Sequence, residues 1–201
     1  LEKLGPRRAI TPDIDKSIKR MLVFDNMYTV GQVTRPAIIP LWTSTFYTKS
    51  RMPVFRNIVT PENRSEYHSE RHPSLPDILS RDGYFTKQIS CNAQGHGVSG
   101  VGVDLGFDEN YDYTMEASEY TENTKRIIEF LEQNQSRKFL LYAHINVPHP
   151  PRWIPISYYL KSLGETDFNH STAVMLGNIR YLNDSYGKIS RALHRLNLNR
   201  N

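Results

Sequence analysis

Cysteine is nearly absent: the 201 residues hold one, Cys91. A single thiol excludes an internal disulfide framework, so the fold must stand on packing and hydrogen bonding. It leaves the compartment open, because large secreted enzymes also fold without disulfides. Long apolar runs are missing as well. Phe139–Tyr142 is among the longest, far short of a membrane span, so no membrane segment is expected in this chain. No basic run exceeds a pair such as Arg7-Arg8, and 25 basic against 21 acidic residues leave a net charge of only +4. Scattered charge of this size describes a solvated surface and gives no footprint for nucleic acid. Internal repeats and low-complexity segments are absent too. What remains is a globular composition, 38% hydrophobic and 23% charged, long enough to bury a core of its own. Four Asn-x-Ser triplets, at Asn63, Asn134, Asn169 and Asn183, against about two expected by chance, are weak evidence for glycosylation.

Helix-like and strand-like pieces alternate along the chain, the pattern of a layered α/β fold. Thr11-Pro12-Asp13 predicts a helix start, with Thr11 as cap, Pro12 in the first turn and Asp13 and Asp15 at the positive end. Met21–Phe24 follows as a strand candidate, then a loop containing Gly31. Pro36–Phe46 reads as an apolar helix in which Pro40 would remove a hydrogen bond. Lys49–Arg71 is polar and irregular and reads as a long surface loop. Ser74 should cap a third helix with Leu75, Ile78 and Leu79 inward and Gly83 ending it. Tyr84–Ser90 is a strand candidate, and the five glycines between Gly95 and Gly106 mark a loop. Glu116–Glu132 predicts a helix. Lys138–Asn146 predicts a strand whose apolar start suits a central position covered on both faces. Met175, Ile179, Leu182, Tyr186, Ile189, Leu193 and Leu196 form one stripe on a last helix, expected to pack on the sheet.

Ligands of open parallel sheets collect beyond the carboxyl ends of the strands. Three loops therefore carry the candidate chemistry: residues 29–36, 91–106 and 146–153. The first holds Thr34, which is either a helix cap or a nucleophile whose helix N-terminus stabilises a phosphate or sulfate. The second holds Cys91, Asn92 and His96; the asparagine and histidine can contact an anion or simply hold a glycine-rich loop. The third holds His144, Asn146 and His149. Pro148 and Pro150 stiffen the backbone around His149, a setting that suits proton transfer or metal binding. A turn histidine bonded to backbone is the alternative.

The order of these motifs resembles the sulfatase branch of the alkaline-phosphatase superfamily. Thr11-Pro12-Asp13-Ile14-Asp15-Lys16 resembles its Thr-Pro-Asn-Leu-Asp-Arg helix start, and Phe24–Tyr28 resembles its Phe-x-Asn-Ala-Tyr segment. Leu75–Leu79 with Asp82–Thr86 resembles its Leu-x-Ile-Leu…Gly-Tyr-x-Thr unit. Leu105–Asp108 is similar to its Gly-Phe-Asp box, Phe139–Pro150 to its Phe-Leu…Pro-His-x-Pro strand and loop, and Ile179–Ile189 to the helix that follows. Each match is short; six in order across residues 11–193 make the resemblance specific. It implies a mostly parallel sheet flanked by helices on both faces. It also implies hydrolysis of a sulfuric or phosphoric ester, of a small molecule or a glycan, with a divalent cation, Ca2+ first, in the complete domain.

The family's nucleophile motif is Cys or Ser, any residue, Pro, any residue, Arg, continuing to Thr-Gly. Here it reads Thr34-Arg35-Pro36-Ala37-Ile38, then Thr43-Ser44. Threonine cannot give the formylglycine that sulfatases make from Cys or Ser, so the resemblance implies an unmodified Thr34. Phosphoryl transferases of the superfamily use threonine in that way, which is the alternative activity; a non-catalytic relative kept for binding or structure is the other. By resemblance Thr34 and His149 are the catalytic residues; Asn92 and His96, from their loop, and Lys49, near the place of the family's basic residues after the nucleophile helix, are the expected substrate contacts. No ligand set for a metal can be read. The family's first Asp pair and its later Asp-His-Gly segment find no match, so residues 1–201 are expected to be an internal part of one sulfatase-like domain, truncated at both ends and inactive by itself.

Overall fold

The structure is a computed structural model. It describes residues 10–50, 52, 59–70, 73–90, 104–112, 117–149, 154–164 and 170–199. Seven helices and three strands are described: α1 (Pro12–Ile18), α2 (Thr34–Thr43), α3 (Pro61–Glu70), α4 (Leu75–Arg81), β1 (Phe85–Ser90), β2 (Glu109–Asp112), α5 (Ala117–Asn134), β3 (Phe139–His144), α6 (Ile156–Gly164) and α7 (His170–Arg195). A 3-10 turn, Tyr47–Ser50, follows α2. The strands form one parallel sheet in the order β2-β1-β3, flanked by helices. The chain divides into two compact units. One comprises Asn26–Thr114 and Ser136–His144; the other comprises Leu1–Asp25, Met115–Gln135 and Ile145–Asn201.

The first unit carries the sheet. Ile38, Ile39, Tyr47, Met52, Val59, Tyr67, Leu105 and Phe107 make its core, with Trp42, Leu140 and Tyr142 packed against it. The polar clamps around this core use neighbouring residues. Ser74 caps α4 as expected: its Oγ accepts from the Asp77 N–H at 3.3 Å and the Asp77 carboxylate accepts from the Ser74 N–H at 2.8 Å. The Ser74 hydroxyl also reaches the Leu105 carbonyl at 2.5 Å. Asp108 accepts from the Thr86 N–H (2.8 Å), the Thr86 hydroxyl (3.0 Å) and the Ser80 hydroxyl (2.6 Å). Burial works against its charge, but these hydrogen bonds and the nearby Arg137 outweigh it and hold the carboxyl below the usual aspartate range. The Leu-Gly-Phe-Asp box is thus structural at every position. Leu105 and Phe107 are core, Asp108 clamps the start of β1, and Gly106 sits at φ +82° with the Asp77 carboxylate where a Cβ would lie.

Several expectations change. Leu75 and Ile78 point outward, and it is Pro76 that is buried in α4. The expected Lys49–Arg71 loop contains the end of the 3-10 turn and all of α3. That helix is polar all round, which is why its period is invisible. Thr60 and Asn63 bond reciprocally across its start, and only Tyr67 is buried. Met21–Phe24 is not a strand; these residues are exposed. The centre of the described sheet is β1, whose Thr86, Gln88, Ile89 and Ser90 are buried, whereas β3 has one described neighbour and is only half-buried.

The second unit is helical. α7 packs on α6, α1 and α5. Its buried face is Ala173, Gly177, Tyr181 and Ser185, with Asn178, Asn183, Gly187 and Ala192, while the large apolar residues of the predicted stripe are only partly covered. Small residues allow close approach: a Cβ on Gly177 would stand 3.1 Å from the Tyr158 carbonyl of α6. Thr11 does not cap α1. Its hydroxyl bonds to Asp15, and the cap comes from α7: Asn183 Oδ1 accepts from the N–H groups of Asp13 (3.0 Å) and Ile14 (3.2 Å). Asn183 and Asn134 are buried, so those two Asn-x-Ser triplets serve packing and hydrogen bonding.

Candidate active site

Thr34 opens α2. Val33, extended at φ −127°, occupies the cap position, so Thr34 is the first helical residue and not the cap. Its side chain is half-buried at the positive end of a ten-residue helix. The preceding loop folds tightly back on that turn. The Thr29 hydroxyl donates to the Gly31 carbonyl at 3.0 Å, and a Cβ on Gly31 would stand 2.7 Å from the Pro36 carbonyl carbon, so only glycine fits. Pro36 suits the first turn, where no N–H is required. Pro40 does lie inside the helix, as feared; the chain then leaves it at Ser44 in the left-handed region, φ 54°.

Two neighbours of Thr34 are instructive. Ile38, standing where the family motif has arginine, is a core residue. Arg35 is 1% exposed, and its guanidinium bonds to the Tyr47 phenol. Burial pushes that phenol up, against the lowering pull of the Arg35 charge and hydrogen bond. A cation buried immediately after the candidate nucleophile is the signal that an arginine inside an otherwise apolar helix could have given.

Lys49 lies at the other end of α2. With Ile39, Thr43, Thr45, Ser50, Tyr67 and Glu70 it lines a cavity of about 40 Å3. A ten-residue helix is about 15 Å long, so the structure does not gather Lys49 around Thr34. Cys91, Asn92 and His96 lie outside the described residues.

His149 belongs to the helical unit. It is exposed at the tip of a turn, where its N–H donates to the Asn146 carbonyl at 2.9 Å. Val147, before a cis bond to Pro148, anchors the turn in a cluster with Tyr181, Ile145, Ile154, Tyr158 and Leu182. Tyr158 donates to Asp184 at 2.7 Å, and burial, reinforced by that carboxylate, pushes its phenol well up. The turn is therefore rigidly rooted while the imidazole meets solvent. Among the described residues no three His, Cys, Asp or Glu side chains converge as a metal site. Among the same residues, no helix is long and apolar enough to cross a membrane.

The sequence model of the sulfatase family matches residues 3–201. No curated protein matches the chain. Among solved structures, Ps i-CgsB in complex with k-i-k-neocarrahexaose superposes with a TM-score of 0.70 at 18% identity, over 96% of this chain and 51% of that one. The C-terminal periplasmic domain of EcEptC from Escherichia coli, in complex with Zn, gives 0.65 at 17%, over 98% and 56%. The lipoteichoic acid synthase LtaP from Listeria monocytogenes gives 0.58 at 17%, over 94% and 47%. The chain thus spans about half the length of the solved structures it matches.

Proposed function

The chain belongs to the sulfatase family, and we propose that it is part of one sulfatase-like domain whose complete form hydrolyses a sulfuric or phosphoric ester with Thr34 as the nucleophile. The observation that carries this reading is the placement of Thr34. It is the first residue of α2, with a half-buried hydroxyl and a fully buried cation at the next position. Backbone N–H groups and the helix dipole favour an anionic group there. Attack by Thr34 Oγ on the sulfur or phosphorus would break the substrate's ester bond and release its alcohol, which takes up the proton lost by the Thr34 hydroxyl; water then cleaves the sulfo- or phospho-threonine to free sulfate or phosphate and restores Thr34. His149 stabilises charge or moves a proton in this scheme, which its exposed imidazole on a rooted turn supports. Asn92 and His96 are further candidate substrate contacts from their loop position; Lys49, expected with them, lies at the other end of α2 from Thr34. A divalent cation, Ca2+ in this reading, would polarise the ester in the complete domain, and the substrate is a small-molecule or glycan ester.

Two observations favour other readings. An unmodified threonine suits phosphoryl transfer. Ile38, buried where the motif has arginine, favours a non-catalytic relative.

The test is Thr34→Ala in the full-length protein, assayed on an aryl sulfate and on a phosphodiester. Loss of turnover on the order of 10^3-fold or more is expected, with Thr34→Ser partly active. Mass spectrometry of the trapped intermediate separates sulfo- from phospho-Thr34. Unchanged turnover in Thr34→Ala removes Thr34 as nucleophile, and an inert wild-type protein supports the non-catalytic reading.

A further inference from the structure

Two motifs of the family pattern meet opposite surroundings. The Leu105–Asp108 box is taken up by the core of the sheet unit and its clamps. The Phe24–Tyr28 segment is not: every residue from Ile18 to Val30 is exposed. This tract is no ordinary surface loop. Met21–Phe24 is apolar throughout, and Met27, Tyr28, Val30 and Val33 carry the pattern up to Thr34. Met27 is 80% exposed and Tyr28 88%. Single exposed apolar residues are normal, whereas a contiguous run of them marks an interaction site. The division between the two units falls at Asp25, and such a joint is ordinarily polar.

The backbone of the tract is open as well. Leu22–Tyr28 is neither helix nor strand, and among the described residues it makes no hydrogen bond and no ring contact. A row of open amides and carbonyls beside β-branched and aromatic side chains is a template for pairing with another stretch of chain. One end of the tract is nevertheless fixed. Gly31 packs directly on Pro36 of α2, so the lead-in to Thr34 is presented from a set position.

Length says what covers it. Of this chain 93–98% superposes on solved structures of which it spans only 47–56%. In each of those proteins the fold continues well beyond the matched part. A lipid surface selects a helix with one apolar face, and this tract is not helical.

We propose that the tract Met21–Val33 seats the other half of the sulfatase-like domain, a step that rests on reading the chain as part of one such domain. An apolar surface of that half covers Met27, Tyr28 and Val30, and its backbone pairs with the open amides of Leu22–Tyr28. The loop before the candidate nucleophile is then held from two sides, by α2 through Gly31 and by the other half through Tyr28 and Val30.

The test is mild peroxide oxidation of the native full-length protein, read at each methionine by mass spectrometry. Met52, 5% exposed in the core, is the protected standard. Met27 should oxidise as slowly as Met52, about a hundredfold below its rate in the unfolded protein. Met27 oxidising at its unfolded rate overturns the proposal. So does protection seen only at high protein concentration, which assigns the tract to a second copy of the chain. Protection seen only with phosphatidylglycerol vesicles assigns it to a membrane and overturns the proposal too. Tyr28→Asp should restore Met27 oxidation while Met52 stays protected; if Met52 is exposed as well, the variant has unfolded and the wild-type result decides. Thr34→Ala should leave the protection of Met27 unchanged. A protected but inert protein therefore fails only the reading of Thr34 as nucleophile, and an active protein with Met27 open fails only this proposal.

Discussion

The sheet-bearing unit and the helical unit solve the same problem differently. Each must satisfy the open amides of a short helix. In the sheet unit the cap of α4 is local: Ser74 and Asp77 serve each other across three positions. In the helical unit the cap of α1 comes from a residue 170 positions away, Asn183 on α7. A local cap forms with the helix it ends. A remote cap forms only when the tertiary structure is in place, so it ties the helix to the fold as well as satisfying its amides.

Removing each cap tests this contrast. Asn183→Ala should have the larger effect, about 2–3 kcal/mol, because it strips two amides of their acceptor and leaves a gap at a buried site. Hydrogen exchange should accelerate at the Asp13 and Ile14 amides first, with a lower melting temperature for the whole chain. Exchange confined to α1 with no change in melting would show that the remote cap ties down nothing but its own helix. Ser74→Ala should cost about 2 kcal/mol, one cap plus an orphaned Leu105 carbonyl. Its exchange signature should stay near α4 and Leu105. Effects spreading to α1 would erase the distinction between the two kinds of cap.

The same contrast explains what the sequence could disclose. Ser74, Gly83, the β1 strand and the α2 helix were legible because their causes lie within a few residues. The Thr11 cap was misread because nothing near α1 points to Asn183. α3 was missed because a helix polar on all faces has no period, and β2, Glu-Asn-Tyr-Asp, because it has no apolar run. α7 was found, but its buried face was assigned to large residues while close packing selected the small ones. For the candidate site, Thr34 and His149 were reachable through loop position and resemblance, and what they do remains a proposal. Arg35 was reachable only as a lone charge in an otherwise apolar helix, ordinary until its burial and partner are known.

Departures from the family pattern sharpen the local side of the comparison. Ser44 stands where the family motif has glycine and adopts φ 54°, a region that costs a residue with a Cβ about 1–2 kcal/mol. Ser44→Gly should therefore stabilise the protein by about 0.5–1 kcal/mol, the relief of strain less the extra freedom of glycine in the unfolded chain. A rise in melting temperature, with the end of α2 unchanged, is the expected result. A fall would mean that the Ser44 side chain contributes a contact worth more than the strain.

The smallest effect concerns Asp108, whose clamp on Thr86 and Ser80 faces water. Its folded carboxyl lies below the ordinary value of 3.8 because the hydrogen bonds and Arg137 outweigh burial. The sign follows directly. A depressed folded value stabilises the protein above the unfolded value, and that contribution is lost as pH falls from about 3.8 through the lower folded value. Melting temperature measured from pH 5 downward should fall less steeply in Asp108→Asn than in the wild type, and the two curves should converge in acid. The loss should be small because an exposed carboxylate is screened. Parallel curves would show that Asp108 is a geometric clamp whose charge contributes nothing, and would leave the sheet unit's local hydrogen bonds, Thr86 Oγ to the Asp108 N–H at 2.9 Å among them, as the whole of what holds that corner.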